Sequence, residues 1–112
     1  MGKMVGLKKR GEFQAAYRLG RSYANRLVVL YVRPTGGSPT RAGFVVGKSL
    51  TGAVAKNRAR RLLREAYRLH ASQVVSGFDL VLIGRAAIKG AKLQLVEPAV
   101  LDVLAKGGVL KC

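Results

Sequence analysis

Apolar and polar positions between residues 52 and 72 recur at helical period, and the two sets fall on opposite sides of one helix. Ala55, Ala59, Leu62, Ala66 and Leu69 are spaced as the stripe a helix buries against a core. Half a turn away stand Asn57, Arg61, Arg64 and Arg68, with Lys56, Arg58 and Arg60 on the flanks. Glu65 is the only acid there, and its place one turn after Arg61 predicts an ion pair between them.

The rest of the chain reads mostly as strands. Residues 25–33 are β-rich up to Pro34, and both faces of that segment are largely apolar, which predicts a central strand covered on both sides. A polar loop, residues 35–39, leads to a second strand over 41–48, expected to be antiparallel to the first because the connection is short. Residues 78–85 form a third strand. The basic helix therefore links two strands as a β-α-β unit, which general chirality would make right-handed. A short helix over 12–19, closed by Gly20 at a C′ position, precedes the first strand. A last helix spans 96–106, with Pro98 in its first turn, Gly107-Gly108 as its stop and Val100, Leu101 and Leu104 facing inward. The predicted order is α-β-β-α-β-α, an α+β fold in a single domain over residues 1–112.

Charge changes the picture. The chain carries 21 Lys and Arg against 5 Asp and Glu, a net charge of +16, with a pI of 11.2. A hydrophobic content of 49% argues against disorder. A solvated helix normally mixes charge signs, because like charges one turn apart repel. The excess in the basic helix makes sense if a polyanion neutralises it, and the preference for Arg over Lys suits bidentate phosphate contacts. No apolar run approaches the roughly 18 residues that span a bilayer, so nucleic acid is expected rather than a membrane. The lone Cys112 forms no internal disulfide, in keeping with a cytoplasmic location.

Nothing in the sequence assembles an enzyme site. Gly47-Lys48-Ser49 and Gly52 lack the spacing of a phosphate-binding loop. The five acids are scattered along the chain with no cluster among them, and His70, the only histidine, sits at the edge of the apolar face, where packing is the ordinary role. Phe13 and Tyr17, one turn apart among Arg10, Arg18 and Arg21, are either two core aromatics or a stacking pair for bases. The residues by themselves describe a binding protein.

The run Lys56-Asn57-Arg58-Ala59-Arg60-Arg61-Leu62-Leu63-Arg64-Glu65 resembles the basic helix of the bacterial ribonuclease P protein components. Leu7-Lys8-Lys9-Arg10-Gly11-Glu12-Phe13, Gly20, Ala24-Asn25-Arg26, Tyr31 and Gly43-Phe44-Val45-Val46-Gly47-Lys48 follow in that family's order, so the likeness covers about residues 7–106. It implies a two-layer α/β sandwich with a central mixed sheet and a left-handed β-α-β crossover through the basic helix. It also implies a protein subunit of an endoribonuclease whose RNA performs the Mg2+-dependent removal of the 5′ leader from precursor tRNA. On that likeness the protein itself holds no cofactor and has no active site. Its partners are the catalytic RNA and precursor tRNA. Carried over by position, Lys48, Lys56, Asn57, Arg58, Arg60, Arg61, Arg64 and Arg68 face RNA, and Phe13, Tyr17, Val29 and Tyr31 line a cleft for the leader. Two departures stand out: Lys56 replaces an Arg, losing its fork, and Ser49 stands where a second Lys often follows Lys48. The competing reading is a ribosomal or other structural RNA-binding protein with no processing role.

Overall fold

The computed structural model describes residues 5–7, 9–47 and 50–111. Its centre is strand β5 (Phe78–Gly84), flanked by β4 (Arg41–Val46) and β3 (Val28–Pro34), with β2 (Arg21–Ala24) and the two-residue β1 (Val5–Gly6) at the edges. The sheet is mixed: β5 runs parallel to β4 and antiparallel to β3. Helix α1 (Arg10–Leu19) precedes β2, α2 (Ala53–Arg68) connects β4 to β5, and α3 (Leu93–Lys106) follows β5.

Alternation along the strands sorts side chains onto two faces. Val28, Leu30, Val32, Ala42, Leu80 and Leu82 point to one face, where they form the main core with α2 and α3. Tyr31, Val45, Val81 and Ile83 point to the other, where Phe13 and Ala16 of α1 cover part of them. The sandwich expected from the sequence is thus the sheet upon α2 and α3, and the short α1 adds a partial layer on the reverse.

Several expectations are corrected. The strand over 41–48 does not lie beside the strand over 25–33; β5 inserts between them. A short loop favours a hairpin only when nothing better fills the gap. Leu80, Val81 and Leu82 are buried on both faces, so the most apolar strand takes the middle. Residues 21–24 form an additional strand, hairpinned to β3 through a turn in which the Asn25 side chain accepts the Leu27 and Val28 amides, each at 3.0 Å. Gly20 is not left-handed (φ −89); a Cβ there would come within 2.7 Å of the Val32 carbonyl oxygen, so close approach is what requires glycine. Helix α3 starts at Leu93, which places Pro98 in its second turn; Pro98 is exposed there, as is Gln94, whose carbonyl it leaves without an amide. Its buried face is Val96, Val100, Val103 and Leu104, with Leu101 half-buried.

The register of α2 also shifts. Ala59, Leu63, Ala66 and Tyr67 are buried, Ala55 and Leu62 are half-buried against the core, and Leu69 is 43% exposed. The helix touches both the sheet and α3, so its buried sector is wider than one stripe and turns toward Leu63 and Tyr67. Tyr67 meets Phe44 of β4 edge to face, ring centroids 5.8 Å apart, and burial pushes its hydroxyl pKa up to about 12. Leu63→Ala should therefore destabilise the fold by about 2–5 kcal/mol in urea denaturation. Leu62→Ala should cost clearly less, and the reverse ranking would refute this register.

Candidate RNA interface

On α2 the polar side is almost wholly cationic. Asn57, Arg58, Arg61, Arg64 and Arg68 are exposed, and Lys56 and Arg60 are half-buried at the flanks. Local contacts hold several of them in place. Arg60 donates to the Asn57 side-chain oxygen at 2.7 Å, and the Arg64 guanidinium lies 5.8 Å from the centre of the Phe44 ring. Arg58 donates to the Ala91 carbonyl at 2.8 Å. Glu65 pairs with Arg68, three residues on, through both carboxylate oxygens, and not with Arg61 as its spacing suggested. A bidentate fork is the better geometry, and it holds the Glu65 carboxyl below its ordinary pKa. Arg61 makes no ion pair among the described residues and projects at the middle of the face. Lys48, predicted to extend this surface, and Ser49 lie outside the described residues, as do Lys8 and Cys112.

The second surface lies on the reverse of the sheet. Strand register lays the side chains there in three rows: Arg33, Asp79 and Arg41; then Tyr31, Val81 and Gly43; then Val29, Ile83 and Val45. Helix α1 covers the first two rows. Phe13 sits over Gly43, where a Cβ would overlap its ring, so this glycine makes room for the aromatic. Tyr17 meets Tyr31 edge to face with centroids 5.1 Å apart. Partial burial and the neighbouring phenol raise the Tyr17 pKa. The choice left open by the sequence divides between the two residues: Phe13 is half-buried and wedged onto the sheet, whereas Tyr17 is 38% exposed. Tyr31 and the row Val29, Ile83 and Val45 are half-buried. The four predicted cleft residues therefore share one face, with Ile83 and Val45 added to them. The period-two pattern over Asp79, Val81 and Ile83 carried the signal that would have found Ile83.

The charged row was not foreseen. Asp79 is 0% exposed. Arg41 grips it twice, Nε to Oδ1 at 3.0 Å and Nη2 to Oδ2 at 2.8 Å, and Arg33 approaches at 3.7 Å. The remaining arm of Arg41 pairs with Glu12 of α1. Glu12 also accepts the Lys9 amide at 2.9 Å, capping the helix it belongs to. The bond to Asp79 raises the Arg41 pKa further above its ordinary value.

Stripe and trough lie on opposite sides of the sheet. Among the described residues no group of three His, Cys, Asp or Glu could hold a metal ion, and no helix is long and apolar enough to cross a membrane. His70 is largely enclosed between α2 and α3, its Nε2 3.8 Å from Glu97.

Comparison with known proteins agrees with this geometry. The sequence model of the family described as Ribonuclease P matches residues 1–107. The chain is 37% identical to the ribonuclease P protein component of Clostridium perfringens, over 95% of this chain and 90% of that protein. It is 40% identical to that of Symbiobacterium thermophilum, over 99% and 97%. Among solved structures it is similar to the Staphylococcus aureus RNase P protein (TM-score 0.85, 30% identity, 97% of this chain and 100% of that one). It is also similar to the RNase P protein of Thermotoga maritima (TM-score 0.80, 27% identity, 90% and 96%).

Removing charge from Asp79 leaves two arginines facing an uncharged buried group. Asp79→Asn should lower stability by about 3 kcal/mol in urea denaturation. Glu12→Gln, nearer the surface, should lower it much less. A loss below about 1 kcal/mol for Asp79→Asn, the size of an ordinary hydrogen bond, would mean that the carboxylate does not organise this face.

Proposed function

The chain belongs to the ribonuclease P protein family, and from that membership we propose that it binds the catalytic RNA through α2 and the 5′ leader of precursor tRNA through the trough beneath α1. The observation that carries the reading is the division of labour between two surfaces. One is cationic and poor in apolar atoms, suited to phosphates held in a folded RNA. The other offers aromatic and aliphatic side chains to bases, which only a single strand can present.

In this reading the protein positions RNA, and the Mg2+-dependent hydrolysis belongs to the RNA subunit. Support for that assignment comes from the acids. Asp79 and Glu12, the pair nearest the trough, are already bound to Arg41, so neither is a free general base or metal ligand. Lys56, Asn57, Arg58, Arg60, Arg61, Arg64 and Arg68 contact the catalytic RNA, as does Lys48 on the family likeness. Phe13, Tyr17, Val29 and Tyr31 receive the leader. The direct test is addition of the chain to a ribonuclease P RNA with precursor-tRNA cleavage assayed at low magnesium. Stimulation supports the reading, and RNA binding without stimulation would support a purely structural RNA-binding protein instead.

Two variants test the surfaces separately. Arg61→Ala or Arg64→Ala should weaken binding to the catalytic RNA and reduce the log–log salt slope by somewhat under ~1 per lost phosphate contact. Lys111→Ala, off the stripe, is the control and should leave the slope unchanged; equal slopes for all three would remove α2 from the interface. Tyr17→Ala should lower affinity for precursor tRNA relative to mature tRNA, by about 1–3 kcal/mol per unstacked base, with little change in melting temperature because the ring is partly exposed. A falling melting temperature at a constant precursor-to-mature ratio would make Tyr17 a packing residue.

A further inference from the structure

A third surface is contiguous with the stripe. Between the β2–β3 turn, the short turn Ala86–Ile88 and α3 lies a cavity of about 340 Å³. Its apolar lining is Leu27, Ala87, Ala91, Leu95 and Ala99, and Leu95 is 62% exposed. That size is at the small end for ligand sites and takes one planar ring system with room at the mouth. None of the lining residues is acidic.

One arginine, Arg26, lines the cavity, and two more are tied to backbone carbonyls of its lining residues. Arg58, from the flank of α2, donates to the carbonyl of Ala91 at 2.8 Å. Arg85 donates to the carbonyl of Asn25 at 3.0 Å. Ala91 and Asn25 both line the cavity. A guanidinium tied by one N–H to a backbone oxygen keeps its full charge and its remaining donors. Fixing a long side chain in this way loses rotamer freedom, which an ion pair elsewhere would repay more directly. The Asn25 side chain is fully used within the fold, donating to Ala99 O at 2.9 Å and to Asp102 at 3.0 Å, so the rim is rigid.

We propose that this cavity receives a single unstacked base of an RNA strand that runs off the α2 stripe, with its flanking phosphates against Arg26, Arg58 and Arg85. Charge complementarity chooses RNA over an apolar protein segment: one arginine in the lining and two bonded to its backbone outnumber the one nearby acid, Asp102, which is itself paired with Lys106. Arg also stacks on bases and grips phosphate bidentately. Arg58 belongs to both surfaces and makes them continuous. The inference rests on the RNA-binding reading of α2 and extends it to a site on the flank, away from the trough under α1.

The test is methyl NMR of the whole chain titrated with decauridylate, with a duplex of the same length and with inorganic phosphate. Single-stranded RNA should shift the Leu27, Leu95 and Ala99 methyls, while the duplex and phosphate should not. Ala87→Leu, at an exposed position, fills the hole without touching the core. It should weaken binding read from those methyls by about tenfold or more, which is the loss of a modest base contact, and should leave the salt slope unchanged because no phosphate contact is lost. Arg58→Gln should weaken the same signal and lower the slope. Silent methyls at saturating oligonucleotide, equal shifts from phosphate alone, or an unaffected Ala87→Leu variant would each overturn the proposal. If in those cases Arg61→Ala still lowers the salt slope, the reading of α2 survives and only the base site fails. If no RNA binds at all, both fail.

Discussion

The grip of Arg41 on Asp79 is the interaction on which the reverse face of the sheet depends. A carboxylate on the central strand, shielded from water, is tolerable only when its charge is met and its oxygens are bonded. Arg41 does both from the neighbouring strand, and in doing so its planar fork is fixed. The free edge of that fork then fixes Glu12, and Glu12 caps α1. A single buried charge thereby sets where a short helix rests on a sheet it covers only in part. Phe13 over Gly43 and Tyr17 against Tyr31 follow from that placement, because both aromatics ride on the same helix.

Such anchoring is needed because α1 has little apolar surface with which to hold itself. Ala16 is its one buried residue, whereas α2 and α3 each bury four. Apolar contact alone would leave α1 loosely fixed, since hydrophobic burial is non-directional and scales with area. A directional ion pair supplies the orientation. The arrangement leaves Val29, Ile83 and Val45 only half covered, which is how the fold keeps an apolar row available two rows from the charged one.

Much of this was legible in the chain and some was not, for physical reasons. Helix α2 was plain because its periodicity is long and strong, and strand β5 because Leu80 to Ile83 form an unbroken apolar run. The strand order was not, because pairing depends on which strand profits most from burial on both faces, a property of the assembled sheet. The buried face of α2 is wider than the predicted stripe, taking in Leu63 and Tyr67, because Tyr67 looks polar in a helical wheel and is in fact a large packing residue against Phe44. The Glu65 partner was misassigned because Arg61 and Arg68 both lie within reach, and only side-chain geometry chooses between them. The Asp79 network was invisible: its members are 29 and 38 residues apart along the chain, and their meeting is a consequence of register. Phe13 and Tyr17 could not be told apart by spacing, since one wedges onto a glycine two strands away and the other stops short at the edge.

The acids explain what the cations are for. Of the chain's 5 Asp and Glu residues, Asp79 and Glu12 anchor α1, Asp102 ties α3 to Asn25 and pairs with Lys106 one turn along the same helix, and Glu65 orients Arg68. Glu97 faces His70. Four of the five acids are committed to ion pairs or hydrogen bonds with named partners, so few carboxylates are left to balance the 21 basic residues. A surface built for solvation alone would intersperse the two signs. Here much of the negative charge is drawn inward or into helix-local pairs, and Arg58, Arg60, Arg64 and Arg85 are steadied by a backbone carbonyl, an amide or an aromatic ring. Those partners fix direction without cancelling charge. The repulsion that remains in the free protein is what a phosphate backbone relieves on binding, so the same imbalance that strains the isolated fold supplies part of its affinity for RNA.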